Sequence, residues 1–180
     1  MILSDGGIKS YLKRGLMRIE PFTEAQIREN GVDLTIGNQY ARFKRTEDVL
    51  DVTEETDLLK YYQIGIMDDE GMVIEPYEHV LLHTREYVEM PPDLVGLVNL
   101  KSSFARLGLY IPPTVVDAGF KGEIVIEVIG SSFPVRVKPG VPFIHLVFLR
   151  TDSPVLRDYS VRGRYQGQRG IRLPKLPIKL

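Results

Sequence analysis

Cysteine is absent from the 180 residues of this chain. Its absence excludes disulfide bonds, thiolate catalysis and metal sites built on thiolates. Long apolar runs are missing too, because no stretch approaches the roughly 18 apolar residues of a membrane-spanning helix. The first fifteen residues also lack the apolar core of a secretory signal. We therefore expect a cytoplasmic protein with no membrane partner.

A large excess of either charge is missing as well. The chain carries 23 Lys and Arg against 24 Asp and Glu, a net charge of −1. A broad nucleic-acid surface needs a clear basic excess, so nucleic acid is not an expected partner, although a local basic pocket for a small polyanion fits this balance. The length and the hydrophobic fraction of 43% are ordinary for one globular domain, which we expect to span residues 1–180.

Helical periodicity is confined to the first part of the chain. One short helix is predicted between a cap at Ser4 or Asp5 and a stop at Gly15, and a capped turn is predicted after Thr23. The rest consists of short β-rich runs separated by turn residues: QYARF, GMVIEP, EHVLLHTREYVEM, LVGLVNL, EIVIEV, FPVRVKP and FIHLVFLR. This pattern predicts a mainly β protein, an antiparallel sandwich, barrel or jelly roll. The absence of βαβ units and glycine-rich phosphate motifs argues against a Rossmann or P-loop fold.

Two segments depart from this pattern. Residues 44–71 are acidic and poorly periodic, so we interpret them as an insertion between strands with at most one helical turn. Residues 157–180 mix Tyr, Gln, Gly and Arg with few large apolar residues before their end. Their composition slightly favours a frayed tail over a segment that orders on a ligand or a neighbouring subunit.

The segment LKSSFARLG, residues 100–108, is the first candidate site. The hydroxyls of Ser102 and Ser103 and the guanidinium of Arg106 can hold phosphate oxygens. The alternative is a helix start, in which one serine caps the helix and Arg106 lies in solvent. The residues alone favour this alternative.

The segment DAGFKGEIVIEV, residues 117–128, is the second candidate. A two-residue alternation places three apolar residues on one face and Glu123, Val125 and Glu127 on the other. A carboxylate shielded in a polar pocket can act as a general base, whereas on a wet face it is only solvated. General statistics favour a solvated Glu127 and a turn-forming Asp117. The terminal RYQGQRG is a third candidate, as a flexible lid.

The three histidines form no metal signature. His79 and His83 fall on a predicted strand and His145 lies far along the chain, so we interpret all three as surface or core residues. No metal ligand is expected among the protein side chains. A G-x-S-x-G elbow for serine catalysis is also missing.

Four segments in order, GVDLTIG, KSSFARLG, DAGFKGEIVIEV and RYQGQRG, resemble the dCTP deaminase branch of the dUTPase-like superfamily. The resemblance runs from about Ile19 to Gly170. The matching positions are Ser102, Ser103, Ala105 and Arg106, then Asp117, Gly119, Phe120, Gly122 and Glu127, and finally Tyr165 and Gln168 with Tyr159 upstream.

The resemblance implies a dUTPase-like antiparallel β-barrel or jelly roll with a few short helices. It implies a homotrimer with active sites between subunits, and a lid formed by residues 157–180. The implied reaction is hydrolytic deamination of dCTP to dUTP and ammonia, a step toward dUMP and dTTP. The base chemistry would need no metal, and Mg²⁺ would accompany the triphosphate.

The resemblance also implies residue roles. Glu127 would carry protons between water, the cytosine N3 and the leaving amine, while Ser102 and Arg106 would position the water and polarise the ring. The remaining positions would bind substrate: Asp117 at the deoxyribose, the backbone of Val125 and Ile126 at the base edge, Lys101 and Ser103 at the phosphates with Ala105 beside them, and Tyr159, Arg164, Tyr165 and Gln168 at the triphosphate under the lid.

Positions at which this sequence departs from the family pattern leave alternative functions open. Lys101 stands where the family usually has arginine, which retains a phosphate contact but not a bidentate one. The DAGFKG turn is similar to that of bifunctional members and of dUTPases, so a bifunctional enzyme, or a dUTPase releasing dUMP and pyrophosphate, is the alternative. A catalytically idle nucleotide-binding regulator is another. Glu127 favours the deaminase, because dUTP hydrolysis needs no proton carrier at C4.

Overall fold

Strands dominate the structure, a computed structural model that describes residues 1–178. The strands are β1 (Arg18–Glu20), β2 (Ile27–Arg28), β3 (Gly31–Phe43), β4 (Tyr62–Ile66), β5 (Met72–Ile74), β6 (His79–Glu89), β7 (Leu94–Leu100), β8 (Thr114–Val116), β9 (Lys121–Ile129), β10 (Val135–Val137) and β11 (Pro142–Arg150). The described range contains three short α-helices: α1 (Asp5–Lys13), α2 (Ser102–Arg106) and α3 (Tyr159–Arg162). None of them is long and apolar enough to cross a membrane.

Nine of the strands form one antiparallel sheet, in the order β1-β6-β3-β11-β7-β8. Strands β2 and β4 also pair with β3, and β9 pairs with β6. The 13-residue β3 pairs with β11 through its first half and with β6 and β4 through its second half, and its register with β6 shifts between Ile36 and Tyr40. Because one strand serves two parts of the sheet, the sheet curls around a core. The prediction of a mainly β, antiparallel fold is confirmed.

The concave face of this sheet carries the core. Strand β11 contributes Phe143, Ile144, Leu146 and Phe148, each at most 1% exposed. Helix α1 covers one part of the core with Ile8 and Tyr11. Burial of each large apolar side chain contributes roughly 1.5–3 kcal/mol, so the core ties β11 firmly between β3 and β7.

The N-terminal helix forms as predicted. Ser4 is the N-cap, and its hydroxyl accepts a hydrogen bond from the Gly7 N–H at 3.4 Å. Gly15 ends the helix with a φ of +66°, which a glycine adopts without strain. The turn predicted after Thr23 is a single 3₁₀ turn with a capping box.

One prediction about irregular segments was correct only in part, and another was wrong. Residues 44–71 contain one helical turn, at Leu58–Lys60, as predicted, but β4 also lies near their end and pairs with β3. The segment YQIGI that forms β4 is too short to stand out in the sequence. The tail is not frayed, since Gln168 and Ile171 are buried at 8% and 7% exposure. Residues 179 and 180 of the predicted lid lie outside the described residues.

Candidate active site

Strand β9 carries Glu127 on its outer face. Ile124, Ile126 and Val128 point into the core with 2–6% exposure, as the alternation predicts. The Glu127 side chain is 40% exposed, and its Oε1 lies 3.4 Å from Nδ1 of His79 on the paired strand β6. The carboxylate is therefore neither buried in the core nor fully in solvent.

Among residues 1–178, no strand or loop pairs with the outer edge of β9 beside this carboxylate, so we call this edge free. Ile129 exchanges both of its backbone hydrogen bonds with Tyr110, and Glu123 N–H donates to Gln168 O, on the side away from β6. Backbone direction alternates along a strand, so Val125 and Glu127 also direct their N–H and C=O groups to that side. The backbone of Ile126 is committed to β6, which corrects the expectation that it faces a base.

The turn before β9 is held by the C-terminal segment. Tyr159 N–H donates to Ala118 O at 2.9 Å, and Gly167 N–H donates to Lys121 O at 2.7 Å. The Gln166 side chain donates to Gly119 O at 3.0 Å and accepts from Lys121 N–H at 2.9 Å. Sequence reasoning missed Gln166, because nothing but this contact distinguishes it from the other polar residues of the tail.

Gly119 is required by that contact. Its φ is +79°, and a Cβ at this position would lie 2.5 Å from Cβ of Asp158. A larger residue would push the tail away from the turn. Gly119 of the D-x-G-F-x-G pattern is therefore required both by the backbone conformation of the turn and by its close packing against the tail.

A cavity of about 430 Å³ lies where the turn meets the tail. Its lining includes four predicted site residues, which are Asp117, Tyr159, Arg164 and Tyr165. Arg157 and Arg162 also line it and were not predicted, because arginines in a polar tail carry no sequence signal of their own. Three arginines against two aspartates make the lining slightly basic, which suits a phosphate chain.

Tyr62 of β4 connects this cavity with Glu127. Burial raises the pKa of its phenol, and the nearby charges of Glu127 and then of Tyr165 raise the pKa further. Tyr62 also packs against the apolar cluster formed by Ala41, Leu81 and Ile171. Glu127, Tyr62 and the tail therefore share one face of the sheet.

Helix α2 presents the other predicted group. Ser102, Ser103, Ala105 and Arg106 are all exposed. The prediction that a serine caps this helix was wrong, since the N-cap is Lys101 and no side chain caps the helix. Both serine hydroxyls therefore face outward rather than serving the helix.

Lys101 is held by a buried acid. Its ammonium pairs with Asp33, whose side chain is 2% exposed and also contacts Arg28 at 2.7 Å and His145 at 3.0 Å. Burial raises the pKa of Asp33, but hydrogen bonds from Lys101, Arg28 and His145 outweigh it, so the pKa lies below its ordinary value. The GVDLTIG segment thus has a structural role that the sequence did not predict, since its Asp33 holds Lys101 in place at the start of α2.

The chain is similar in sequence to proteins of a known family. A sequence model of a family described as dCTP deaminase-like matches residues 2–151. A dCTP deaminase of Ignicoccus hospitalis is 89% identical over all 180 residues and the whole of that protein. The chain belongs to the dCTP deaminase-like family. A dCTP deaminase of Desulfurococcus amylolyticus is 53% identical over 98% of this chain and 96% of its own.

Solved structures show the same fold at low identity. A 2'-deoxycytidine 5'-triphosphate deaminase from Agrobacterium tumefaciens superposes with a TM-score of 0.64 at 21% identity. It matches 82% of this dCTP deaminase-like chain, which spans 47% of the length of that protein. The dUTPase of Staphylococcus bacteriophage 80alpha has a TM-score of 0.50 at 15% identity and covers 78% of the chain and 94% of its own.

Gln168, which the sequence predicted to bind the triphosphate, makes its hydrogen bonds within the chain. Its Nε2 donates to Glu123 O at 2.6 Å, and its backbone forms a parallel bridge with Gly122. The side chain therefore fixes the tail on β9 rather than pointing into the cavity.

The predicted residues thus form two groups. Asp117 and the tail residues line one cavity, and Glu127 is linked to them through Tyr62, which lies near both Glu127 and Tyr165. The α2 residues form the other group. Within residues 1–178, no hydrogen bond, ion pair or common cavity joins the two groups. The same range holds no cluster of three His, Cys, Asp or Glu side chains arranged for a metal ion; His83 and His145 instead pair with Glu123 and Asp33.

Proposed function

We propose that this member of the dCTP deaminase-like family converts dCTP and water to dUTP and ammonia. The observation that carries the proposal is the half-exposed carboxylate of Glu127 beside the free backbone edge of β9. Full-length relatives named dCTP deaminase support it at 50% identity and above.

Glu127 is proposed as the proton carrier. It takes a proton from water as the oxygen attacks C4 of cytosine, and gives that proton to N3. A second proton passes from the new hydroxyl to the amino group, which leaves as ammonia while the C4 carbonyl forms. One carboxylate can carry protons in both directions when it is shielded, so the base chemistry is proposed to need no metal. Ser102 and Arg106 of α2 are proposed to position the water and polarise the ring.

Recognition of cytosine is assigned to the free edge of β9. A backbone C=O of Val125 or Glu127 accepts from the 4-amino group, and a backbone N–H donates to a ring acceptor. Uracil presents an oxygen at position four, which would face that C=O. A buried mismatch of this kind costs about 1–3 kcal/mol, enough to favour cytosine.

The basic cavity is proposed to take the triphosphate. Arg157 and Arg162 supply donor forks, and Tyr159 and Tyr165 supply hydroxyls. Arg164 lies beside them, and its guanidinium also donates to Lys175 O and, at 3.0 Å, to Pro177 O. Asp117 is proposed to contact the deoxyribose. Lys101 and Ser103 would approach the phosphates from α2.

Mg²⁺ fits this lining as a companion of the triphosphate. The ion prefers oxygen ligands, takes most of them from phosphates and water, and needs few from a protein. The protein is proposed to supply no ligand to the ion, because Asp117 is assigned to the sugar and Asp158 caps α3 by accepting from Ser160 N–H at 3.0 Å. When bound, the ion neutralises phosphate charge.

A homotrimer with shared sites is proposed for two reasons. The α2 group and the Glu127 group lie apart within one chain, so a second chain is needed to complete the site. In addition, Val147, Leu97 and Val115 form a row across β11, β7 and β8, and Leu97 and Val115 are 36% and 52% exposed. Such an apolar row is suited to contact between copies.

A cytoplasmic location stays a prediction from the sequence.

One assay tests the activity. Pure protein is incubated with dCTP and Mg²⁺ while ammonia, dUTP, dUMP and pyrophosphate are followed. We expect ammonia and dUTP in equal amounts. Release of dUMP from dCTP would indicate a bifunctional enzyme, and pyrophosphate from dUTP with no ammonia from dCTP would contradict the proposal in favour of a dUTPase. Binding without turnover would indicate a regulator.

A further inference from the structure

A second acid of β9, Glu123, is buried and takes no part in the chemistry proposed above. Its side chain is 11% exposed, whereas that of Glu127, four residues further along the same face of the strand, is 40% exposed. Oε2 accepts a hydrogen bond from Gly170 N–H at 2.6 Å, and Oε1 lies 3.4 Å from the guanidinium of Arg169. One carboxylate of the sheet therefore binds two consecutive residues of the tail.

Gln39 of β3 extends this contact. Its Oε1 accepts from Ile171 N–H at 3.1 Å, so three successive tail residues are bound by Glu123 and Gln39. We call Glu123 and Gln39 the tail anchor. The two belong to strands separated only by β6, so the anchor is part of the rigid sheet.

His83, on the intervening strand, braces the anchor. Its Nε2 accepts from the Gln39 N–H at 3.1 Å, so the ring proton lies on Nδ1. Nδ1 is 3.0 Å from Glu123 Oε2 and 2.9 Å from Thr84 O. The histidine thus holds the carboxylate in the orientation that faces Gly170.

Gly170 is shaped for the anchor. Its φ is +61°, and a Cβ there would lie 2.2 Å from Gln39 Oε1. Immediately beyond it, Ile171 is buried against Ala41 and Leu81. The polar contacts at 169–171 and this apolar contact fix the same short stretch.

We propose that Glu123 is a positioning residue, which holds the C-terminal segment so that Arg164 and Tyr165 face the cavity before the nucleotide arrives. The inference rests on the proposed function only in naming dCTP as the nucleotide. Tyr165 lies five residues before Gly170, so the anchor limits how far it can move from Asp117. A carboxylate bound to an N–H and a guanidinium makes stronger hydrogen bonds than a neutral acceptor. A segment ordered in advance loses less entropy on binding.

The first test needs no substrate. Hydrogen exchange of the unliganded protein is compared among wild type, Glu123→Ala and the control Glu20→Ala, which removes an exposed acid on β1. We expect the amides of Gly170 and Ile171 to exchange at least about tenfold faster in Glu123→Ala, while Glu20→Ala matches wild type. Unchanged protection in Glu123→Ala would overturn the anchor.

The second test separates positioning from catalysis and from stability. We expect Glu123→Ala to raise KM for dCTP about tenfold with kcat within about twofold. Glu123→Gln keeps an acceptor for Gly170 but loses its charge, so its KM for dCTP should lie between that of wild type and that of Glu123→Ala. If Glu123→Ala does not fold, Gly170→Ala disrupts the same contact from the tail and should give the same KM. A fall in kcat that follows the loss of thermal stability, with KM unchanged, would contradict the positioning role.

The two proposals fail differently. If wild type does not deaminate dCTP, the proposed function is wrong, and the exchange experiment alone decides the anchor. If wild type deaminates dCTP and both variants keep its KM, Glu123 has no positioning role.

Discussion

Glu127 and His79 lie side by side on paired strands, with 3.4 Å between Oε1 and Nδ1. Both side chains are partly exposed, at 40% and 47%. The imidazole can hold the carboxylate at the edge where Val125 directs its backbone groups. Proton transfer requires a carboxylate near the reacting atoms, and this contact places the imidazole where it can orient Glu127.

The first prediction concerns that carboxylate. Glu127→Gln keeps the size of the side chain but cannot take a proton, so we expect deamination to fall by about 10²–10⁴-fold while dCTP binding is kept. Ammonia release gives the rate, and calorimetry gives the affinity. The control Glu89→Gln changes another half-buried strand glutamate and should have no effect. Turnover of dCTP by Glu127→Gln at the wild-type rate would remove Glu127 from the mechanism.

The second prediction concerns sites shared between subunits. Arg106→Ala and Glu127→Gln should each be inactive alone, because each removes one half of every site. Mixed by unfolding and refolding together in equal amounts, they should recover about a quarter of wild-type activity, since random pairing completes that share of the sites. Recovery of none would mean that both residues act within one chain.

The third prediction concerns the apolar row across β11, β7 and β8. We expect Leu97→Asp to dissociate the proposed trimer, because a charge would be costly in the apolar contact proposed between its subunits. Sedimentation would show the change in mass, with loss of deamination alongside it. Val49→Asp, at a residue that is 92% exposed, is the control and should leave the assembly intact. A monomeric wild type would contradict this prediction at the outset.

The fourth prediction concerns Asp33. Its pKa is lowered, so the ionised carboxylate stabilises the fold above its ordinary pKa of 3.8, and this stabilisation is lost as the pH falls below that value through the lowered pKa. Asp33→Asn should lower the free energy of unfolding at pH 7 by about 1–3 kcal/mol, because charged hydrogen bonds are lost while Lys101 and Arg28, 25% and 49% exposed, keep access to water.

Urea unfolding at neutral and acid pH measures both effects. The difference between wild type and Asp33→Asn should shrink in acid, whereas the surface variant Asp152→Asn should follow wild type throughout. An equal difference at every pH would mean that the ionisation of Asp33 does not contribute.

Several features of this protein could be predicted from the sequence. The alternation IVIEV fixes which side of β9 is buried, since side chains alternate with a period of two whatever the partner strand is. Ser4 and Gly15 bound α1 by local hydrogen bonding and local backbone freedom. The order of four short motifs predicted the family, and the match of residues 2–151 to the dCTP deaminase-like family confirms it.

Other features depended on contacts between distant parts of the chain. The composition of the tail favoured fraying, since 157–180 cannot form a core alone; it is ordered because Glu123 and Gln39, 47 and 132 residues away from Gly170 and Ile171, accept its N–H groups. Likewise, nothing in the sequence indicates that the ammonium of Lys101, a proposed phosphate ligand, pairs with Asp33, which lies 68 residues away.

The sequence by itself therefore determined strand identity, the buried faces and the family, all of which follow from local periodicity and short motifs. Only the tertiary structure decided that β9 has a free edge beside Glu127, that Ile126 cannot use its backbone there, and that the tail is bound. A free strand edge or an anchored tail depends on which strands become neighbours in the sheet. Strand pairing in turn depends on burial of the whole core and not on any one segment.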